Sequence, residues 1–338
     1  MRRLGLSIPI EEFPLPESID IACRAESLGY TDAWSTEAAA WDGFSLLVAI
    51  GSRTQRLRLG VGVAPAFTRP PALLAMTAAT VQALVHGRFC LGLGASTEAV
   101  VGRWMGLDYA RPYARVSETL EVVQRALRGE RVSFRGETVL VQDFQLRLPG
   151  GLPAPAPIVL AGLGPRMLRL AGERADGVVL VNVSRRALGS VLEHFWEGVD
   201  ASGRDRGTLD VVCRIGVAVD EDTEELRAVL RRHLAGYGST RAYNAFFRRQ
   251  GFEAEAEAMR VAWEQRDGRA AAAAISDAML EELFVFGDAD RCRAQLEAYY
   301  AAGVRTPLVM PVSAREGPRR RDAILRTIEF AAREFARA

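Results

Sequence analysis

The stretch APIVLAGLGPRMLRLAGERADGVVLV, residues 156–181, decides the fold because it holds one complete strand–helix–strand unit. Its apolar runs at 158–161 and 177–181 are continuous rather than alternating, which predicts strands covered on both faces, as in a parallel sheet. Pro165 stands where the helix would begin, a position at which its missing N–H costs nothing. A parallel unit of this kind indicates an α/β protein.

The same alternation of apolar and helical runs continues along the chain and predicts eight strands. They are 3–10, 31–36, 56–63, 88–95, 156–161, 177–181, 208–219 and 306–312. Eight strands separated by helices predict an α/β fold closed into a (β/α)8 TIM barrel. A doubly wound open sheet is the rival, but its phosphate-binding glycines would follow the first strand, and SIPIEEFPLPE there has none.

The length and composition predict a single barrel domain over 1–338 with two insertions. The segment at about 131–150 alternates with a period of two residues around Arg135-Gly136, which predicts a hairpin. The segment 222–280 is long, helical and charged. It is expected either to cover the top face or a partner subunit, or to be a solvated helical excursion.

The charge balance favours small-molecule partners. Forty-three basic and 42 acidic residues give a formal net charge of +1, so no overall field attracts nucleic acid or an anionic membrane. Every basic residue other than histidine is arginine. The lack of lysine excludes a Schiff-base lysine, a pyridoxal-phosphate site and a phosphate-loop lysine. We therefore expect a small-molecule substrate, and neither a nucleic-acid nor a membrane partner.

The four cysteines indicate the compartment. Cys23, Cys90, Cys213 and Cys292 are far apart and form no C-x-x-C pair, which predicts buried free thiols and no metal site. The N-terminal residues lack the pattern of a secretory signal, and no apolar run has the length that crosses a bilayer. We expect a cytoplasmic protein.

Active sites of α/β barrels lie at the carboxyl ends of the strands, so the turn after strand five is a candidate. Its glycines permit close backbone approach, the helix N-terminus favours an anion, and the arginine adds a charged donor. A tight turn that needs glycine for its geometry alone is the alternative. The candidate cofactor-binding residues here are Ala161, Gly162, Leu163, Gly164, Pro165 and Arg166.

The turn after strand four repeats this pattern with Gly94, Ala95, Ser96 and Thr97, which offer backbone N–H groups and two hydroxyls. A purely structural turn is again the alternative. After strand three, Gly62 interrupts a β-branched strand end, as at a bulge or a close backbone approach.

Two acidic residues follow strand two. Glu37 is placed to take part in proton transfer or to hydrogen-bond a cofactor, whereas Asp42 is expected to cap the next helix. Histidine chemistry has little support, because His86 lies in a turn and His194 and His233 lie on charged helices, away from the predicted strand ends.

Taken in order, several segments resemble the luciferase-like monooxygenase superfamily, and within it the branch dependent on the deazaflavin coenzyme F420, which includes methylenetetrahydromethanopterin reductases. The resemblance covers nearly the whole chain. The segments are GYTDAWSTE (29–37), RLRLGVGVAPAFTRPP (56–71), GRFCLGLGAST (87–97) with GRWMG after it, the opening stretch, and GDADRCRAQLEAYYAAGV (287–304).

The resemblance implies a barrel that holds F420 at the carboxyl ends of its strands, often as a homodimer. It implies a bulge with a non-prolyl cis peptide at Gly62 and Val63 behind the deazaflavin ring, with Glu37, the candidate catalytic residue, near that ring. The turns after strands four and five would meet the cofactor's tail and phosphate. The implied reaction is hydride transfer between F420 and an organic small molecule.

Two other functions stay open: an FMN-dependent luciferase-like monooxygenase and a non-catalytic flavin-binding paralogue. The chain departs from relatives such as a sugar-phosphate dehydrogenase, which carry a histidine where Ala38 stands and a glutamate where Thr97 stands. Those relatives also hold the sugar phosphate with lysines. The lack of lysine argues against that substrate.

Overall fold

A computed structural model of the chain describes residues 2–37 and 39–336. In chain order its strands are β1 (Gly5–Ile8), β2 (Asp32–Ser35), β3 (Arg58–Pro65), β4 (Phe89–Gly94), β5 (Val132–Arg135), β6 (Leu140–Phe144), β7 (Ile158–Ala161), β8 (Gly177–Val181), β9 (Asp210–Val219), β10 (Val285–Gly287) and β11 (Thr306–Pro311).

The α-helices alternate with these strands. They are α1 (Leu15–Ser27), α2 (Gly43–Gly51), α3 (Pro71–Leu84), α4 (Pro112–Leu127), α5 (Pro165–Arg174), α6 (Leu188–Ala201), α7 (Glu224–Gly238), α8 (Arg241–Arg249), α9 (Glu253–Glu264), α10 (Gly268–Ala273), α11 (Asp277–Leu283), α12 (Ala289–Ala301) and α13 (Gly317–Phe335). A π-helix, Ala99–Trp104, and a short 3-10 helix, Arg206–Thr208, complete the described helices. No helix in these described residues is both long and apolar enough to cross a lipid bilayer.

Eight parallel strands close the barrel in the order β1, β2, β3, β4, β7, β8, β9 and β11, and β11 pairs with β1. The predicted TIM barrel is confirmed, and the open doubly wound sheet is excluded. The stretch at 156–181 forms β7, α5 and β8 as one parallel unit, with Val159 opposite Gly177. All eight predicted barrel strands are present, with ends shifted by a few residues.

Alternate residues of each strand face the barrel interior. Trp34, Cys90, Val159, Val212 and Leu308 pack together there as a small apolar cluster. The opposite faces of the strands pack against the helices and form the main core. This two-sided burial explains why the strand sequences are continuously apolar.

An ion-pair network closes the amino-terminal end of the barrel. The Arg58 guanidinium contacts Asp32 at 2.5 Å and Asp210 at 2.6 Å, and Thr306 donates to Asp210 at 2.9 Å. The Trp34 indole N–H donates to Asp32 at 3.2 Å. Burial alone would lower the pKa of Arg58, but the two carboxylates outweigh it and raise that pKa. The charges are therefore buried together as a satisfied group.

Two segments interrupt the alternation of barrel strands and helices, and their structures differ. β5 and β6 form an antiparallel hairpin after α4, and helices α7 to α11 lie between β9 and β10. The short strand β10, which the sequence analysis missed, pairs with β9 at Val217–Val219, where β8 has already ended. Of the four cysteines three are buried, whereas Cys23 is partly exposed, because it lies on the outer helix α1.

Candidate active site

A bulge interrupts β3 near its carboxyl end. The pairing of β3 with β4 shifts register between Val61 and Ala64, and the peptide bond between Gly62 and Val63 is cis. This is the position at which the sequence resemblance implied such a bond. The bulge lies at the mouth of the barrel, where active sites of this fold occur.

Three strands meet closely around the bulge. A Cβ added to Gly94 would lie 2.8 Å from Val63 Cγ2 and 3.1 Å from Ala161 Cβ, so glycine is needed for this approach. Trp34 lies below, inside the barrel, and a Cβ on Gly60 would come within 2.2 Å of its indole ring. The Trp34 indole therefore lies beneath the mouth, and the glycines on β3 leave room for it.

Glu37 is held in an ion pair beside the mouth. Arg69 Nη2 lies 2.7 Å from both Glu37 Oε1 and Asp42 Oδ2, and its guanidinium lies over the Phe44 ring. Asp42 also accepts a hydrogen bond from the Ser45 N–H and caps α2, which confirms its predicted structural role. Partial burial opposes ionisation of Asp42, but hydrogen bonds from Ser45 and Arg69 prevail and lower its pKa.

A cavity of about 790 Å³ opens between the turns after β4 and β7 and the first turn of α8. Three arginines line it: Arg103 from the π-helix, and Arg241 and Arg249 from α8. Among the described residues, none of the three has a carboxylate oxygen within 4.0 Å. The volume suits a cofactor-sized ligand, and guanidinium groups without carboxylate partners suit a ligand with negative charge.

The amino-terminal ends of two helices also border this cavity. Gly164 precedes α5 and Thr240 caps α8, and both residues line the cavity wall. Free N–H groups and the helix dipole at such ends favour anions. Arg249 Nη2 donates to the Leu163 carbonyl at 2.8 Å and so ties α8 to the turn after β7. Burial lowers the pKa of Arg249.

The structure brings most predicted site residues to two adjoining places. Ser96, Thr97, Leu163 and Gly164 line the cavity. Gly62, Val63, Gly94 and Ala161 meet at the barrel mouth, and Ala95, Gly162 and Pro165 adjoin them along the chain. Arg166 does not line the cavity, because its guanidinium lies 4.2 Å from the Tyr113 ring centroid. Ala38 lies outside the described residues.

Thr97, which stands where the resemblance implies a glutamate, has a local structural contact. Its hydroxyl accepts a hydrogen bond from the Val100 N–H at 3.3 Å, at the start of the π-helix. The neighbouring Ser96 has a positive φ of 60°, and its carbonyl accepts a hydrogen bond from Tyr109. π-helical turns occur often at functional sites, so this segment is a natural part of the cavity wall.

The sequence gives no signal for the cavity arginines, and His233, for which it supports no catalytic role, lies on α7. Arg241 and Arg249 lie in the insertion whose charge also fits a solvated surface, and Arg103 lies in a segment that carries no strand-end signal. His233, on α7, comes within 5.9 Å of Phe284 and beside Arg214 of β9. Burial and the Arg214 charge lower the pKa of His233 to about 4.

Comparison with known proteins identifies the family. A family model described as luciferase-like monooxygenase matches residues 3–306. The chain is 28% identical over 334 residues to a Mycobacterium tuberculosis protein named "Putative coenzyme F420-dependent oxidoreductase", with 93% of this chain and 96% of that protein covered. It is 27% identical over 286 residues to the 5,10-methylenetetrahydromethanopterin reductase of Archaeoglobus fulgidus, which covers 83% of this chain and 85% of the reductase.

Among solved structures, the F420-dependent tetrahydromethanopterin reductase of Methanopyrus kandleri has the same fold. Its TM-score is 0.80 at 22% identity, with 98% of both chains covered. The barrel fold, the bulge on β3 and the sequence match along almost the whole chain all indicate the same family. The chain belongs to the luciferase-like monooxygenase family.

Proposed function

We propose that the protein is an F420-dependent oxidoreductase that transfers a hydride between the deazaflavin coenzyme and an organic small molecule. The observation that carries the proposal is the cavity next to the barrel mouth, whose three arginines have no carboxylate partner among the described residues. F420 has a deazaflavin ring and an anionic, phosphate-bearing tail. A ring at the mouth and a tail in the cavity would give each part a partner of matching chemistry.

The site residues have different proposed roles according to their position. Gly62 and Val63 would back the ring, with Gly94 and Ala161 leaving room beside them. The turns 94–97 and 161–166 would bind the tail through backbone N–H groups, together with the cavity arginines. When bound, the coenzyme supplies the hydride chemistry. The chain's own share is binding, orientation and exclusion of water.

Glu37 is the proposed catalytic acid or base near the ring. Its ion pair with Arg69, at 2.7 Å, fixes the position of the carboxylate. Glu37→Gln should leave F420 affinity within about twofold while slowing hydride exchange by roughly 10²-fold, the usual scale of such groups. Unchanged exchange rates would remove Glu37 from the mechanism.

The first experiment is a fluorescence titration of the full chain with F420 and, separately, with FMN. Saturable binding of F420, at least tenfold tighter than that of FMN, is the expected result. Preference for FMN would favour the monooxygenase alternative. Binding of F420 without hydride exchange toward any substrate would favour the non-catalytic paralogue.

The cavity arginines provide a sharper test of the tail site. Arg241→Gln should weaken F420 binding about tenfold, because a charged hydrogen bond is lost, a change of roughly 1.4 kcal/mol. Arg232→Gln is the matched control, since Arg232 is exposed on α7 and does not line the cavity. Equal affinities for the two variants would contradict the assignment of the tail to this cavity.

We also propose that the chain forms a homodimer. Apolar side chains are exposed together on α3 and beside it: Leu73, Met76 and Leu84, with Leu140 and Leu152. Light scattering after size exclusion should give twice the chain mass, and Leu84→Glu should give the monomer. Val261→Glu, on α9, is the control and should stay dimeric. A monomeric wild type would overturn this part.

A further inference from the structure

Arg214 occupies an unusual place inside the barrel. It follows Asp210 and Val212 at intervals of two residues on β9, so it shares their interior face, and Val212 is fully buried. Asp210 lies at the closed amino-terminal end, and Arg214 therefore lies toward the mouth. Its register partners are Val181 on β8 and Leu308 on β11.

The Arg214 side chain lacks a matching acceptor. Its Nε is buried without a hydrogen-bond partner, and Nη2 donates to the sulfur of Met310 at 2.7 Å. Thioether sulfur is a weak acceptor. No carboxylate oxygen of the described residues lies within 4.0 Å of the guanidinium. An interior arginine left in this state is unfavourable unless a ligand supplies the missing acceptor.

A second orphaned donor lies at the same level. Asn182 directly follows β8, next to the residue paired with Arg214, and has a positive φ of 54°. Asn182 is 6% exposed, and its Nδ2 is buried with no hydrogen-bond partner. The backbone carbonyl of Asn182 accepts a hydrogen bond from Gln250 Nε2 at 3.1 Å, whereas the side-chain Nδ2 has no acceptor among the described residues.

Aromatic side chains of the helical insertion form a cluster near Arg214. The ring centroids of His233 and Tyr237 are 5.2 Å apart, and those of Tyr237 and Tyr243 are 4.6 Å apart. A Cβ on Gly216, two residues beyond Arg214 on β9, would lie 2.6 Å from Phe284, whose ring centroid is 5.9 Å from that of His233. With its pKa lowered, His233 is neutral at pH 7 and adds no competing charge. This wall is suited to a flat apolar group.

The position of Arg214 and Asn182 across the barrel from β3 indicates what they bind. β9 is four strands from β3 in either direction around the eight-stranded barrel, so Arg214 lies opposite the Gly62–Val63 bulge. We propose that Arg214 and Asn182 bind the carboxylate of an aromatic or otherwise flat organic acid, which is the substrate. The inference rests on the proposed function, because that function places the coenzyme ring against the bulge and leaves the opposite side of the barrel, with Arg214, to the substrate.

Isothermal titration of the full chain with benzoate and with benzamide, each with and without F420, tests this inference. The wild type should bind benzoate at least tenfold more tightly than the uncharged benzamide. Arg214→Met should abolish that preference, and Asn182→Asp should weaken benzoate binding by placing a negative charge beside it. Arg214→Met should bind F420 as the wild type does. Arg232→Met is the control and should behave as the wild type.

The outcomes separate this inference from the function on which it rests. Normal F420 binding with no benzoate preference in the wild type, or with a preference that survives Arg214→Met, overturns the carboxylate site and leaves the proposed function standing. Failure of F420 to bind overturns the proposed function. The titrations without F420 then decide the carboxylate site by themselves.

Discussion

The two ends of the barrel each contain an interior arginine, and the two arginines differ in the partners that surround them. Arg58, at the amino-terminal end, contacts two buried or half-buried carboxylates and lies 5.5 Å from the Trp34 ring centroid. Arg214, at the carboxyl end, has a thioether and an unpartnered Nε. One end is internally complete, and the other needs a ligand.

This difference separates stability from function within one fold. A buried charge whose partners are all present holds the strands together, whereas a charge without partners lowers stability until something binds. The cavity arginines differ from both, because they are exposed to solvent. The carboxyl end thus carries buried unpartnered donors at Arg214 and Asn182, beside a cavity lined by exposed arginines.

Replacing Arg58 should have the largest effect. Arg58→Met leaves Asp32 and Asp210 without their cation and should lower the free energy of unfolding by about 3 to 5 kcal/mol. Urea denaturation followed by circular dichroism measures this change. Arg53→Met removes an exposed ion pair with Asp20 and should leave the midpoint unchanged. Equal effects of the two variants would refute the network's role.

A smaller loss of stability is expected when the space around Trp34 is crowded. Gly60→Ala places a methyl group 2.2 Å from the Trp34 indole and should cost about 2 kcal/mol, with a shifted tryptophan emission spectrum. Gly164→Ala is the matched control at the carboxyl end. Nothing lies within 4 Å of the added Cβ there, so stability should hold. A Gly60→Ala protein as stable as the wild type would mean that Trp34 is loosely packed.

The same substitution at the other arginine should have little effect on stability or raise it. Arg214→Met removes an interior charge that lacks a carboxylate partner, so its free energy of unfolding should equal or exceed that of the wild type. Denaturation alongside Arg58→Met gives the direct contrast. A loss as large as that of Arg58→Met would show that both arginines are structural.

A pH dependence of stability is also expected at the carboxyl end. His233 has a folded pKa of about 4, below its ordinary value of 6.5, because of burial and the Arg214 charge. Its contribution to stability is therefore present above pH 6.5 and is lost as the pH falls toward 4. His233→Gln should flatten that part of the stability profile. An identical profile in the variant would contradict the assigned environment.

Local sequence patterns were sufficient for the barrel and for much of the mouth. Apolar runs, turn glycines and Pro165 act over a few residues, so the strands and the turns after β4 and β7 were predictable. The three-residue β10 was too short to leave such a pattern. Asp42 was correctly predicted as a helix cap because capping is also local.

Contacts between distant segments could not be predicted in this way. Arg241 and Arg249 reach the cavity because α8 packs back against the turn after β7, and the sequence of α8 alone fits a solvated helix equally well. Arg214 looks like one polar residue in an apolar strand. Its lack of a partner is visible only when the strands of the barrel and the insertion are assembled.

We propose the carboxyl end of this barrel as the F420 site. The most direct test of this claim is the free energy of unfolding of the wild type with F420 at 100 times its dissociation constant, with FMN at the same concentration as comparison. A ligand that binds only the folded chain should add about 2.7 kcal/mol. We predict that increment with F420 and a clearly smaller one with FMN. No increment with F420, or a larger one with FMN, would contradict the claim.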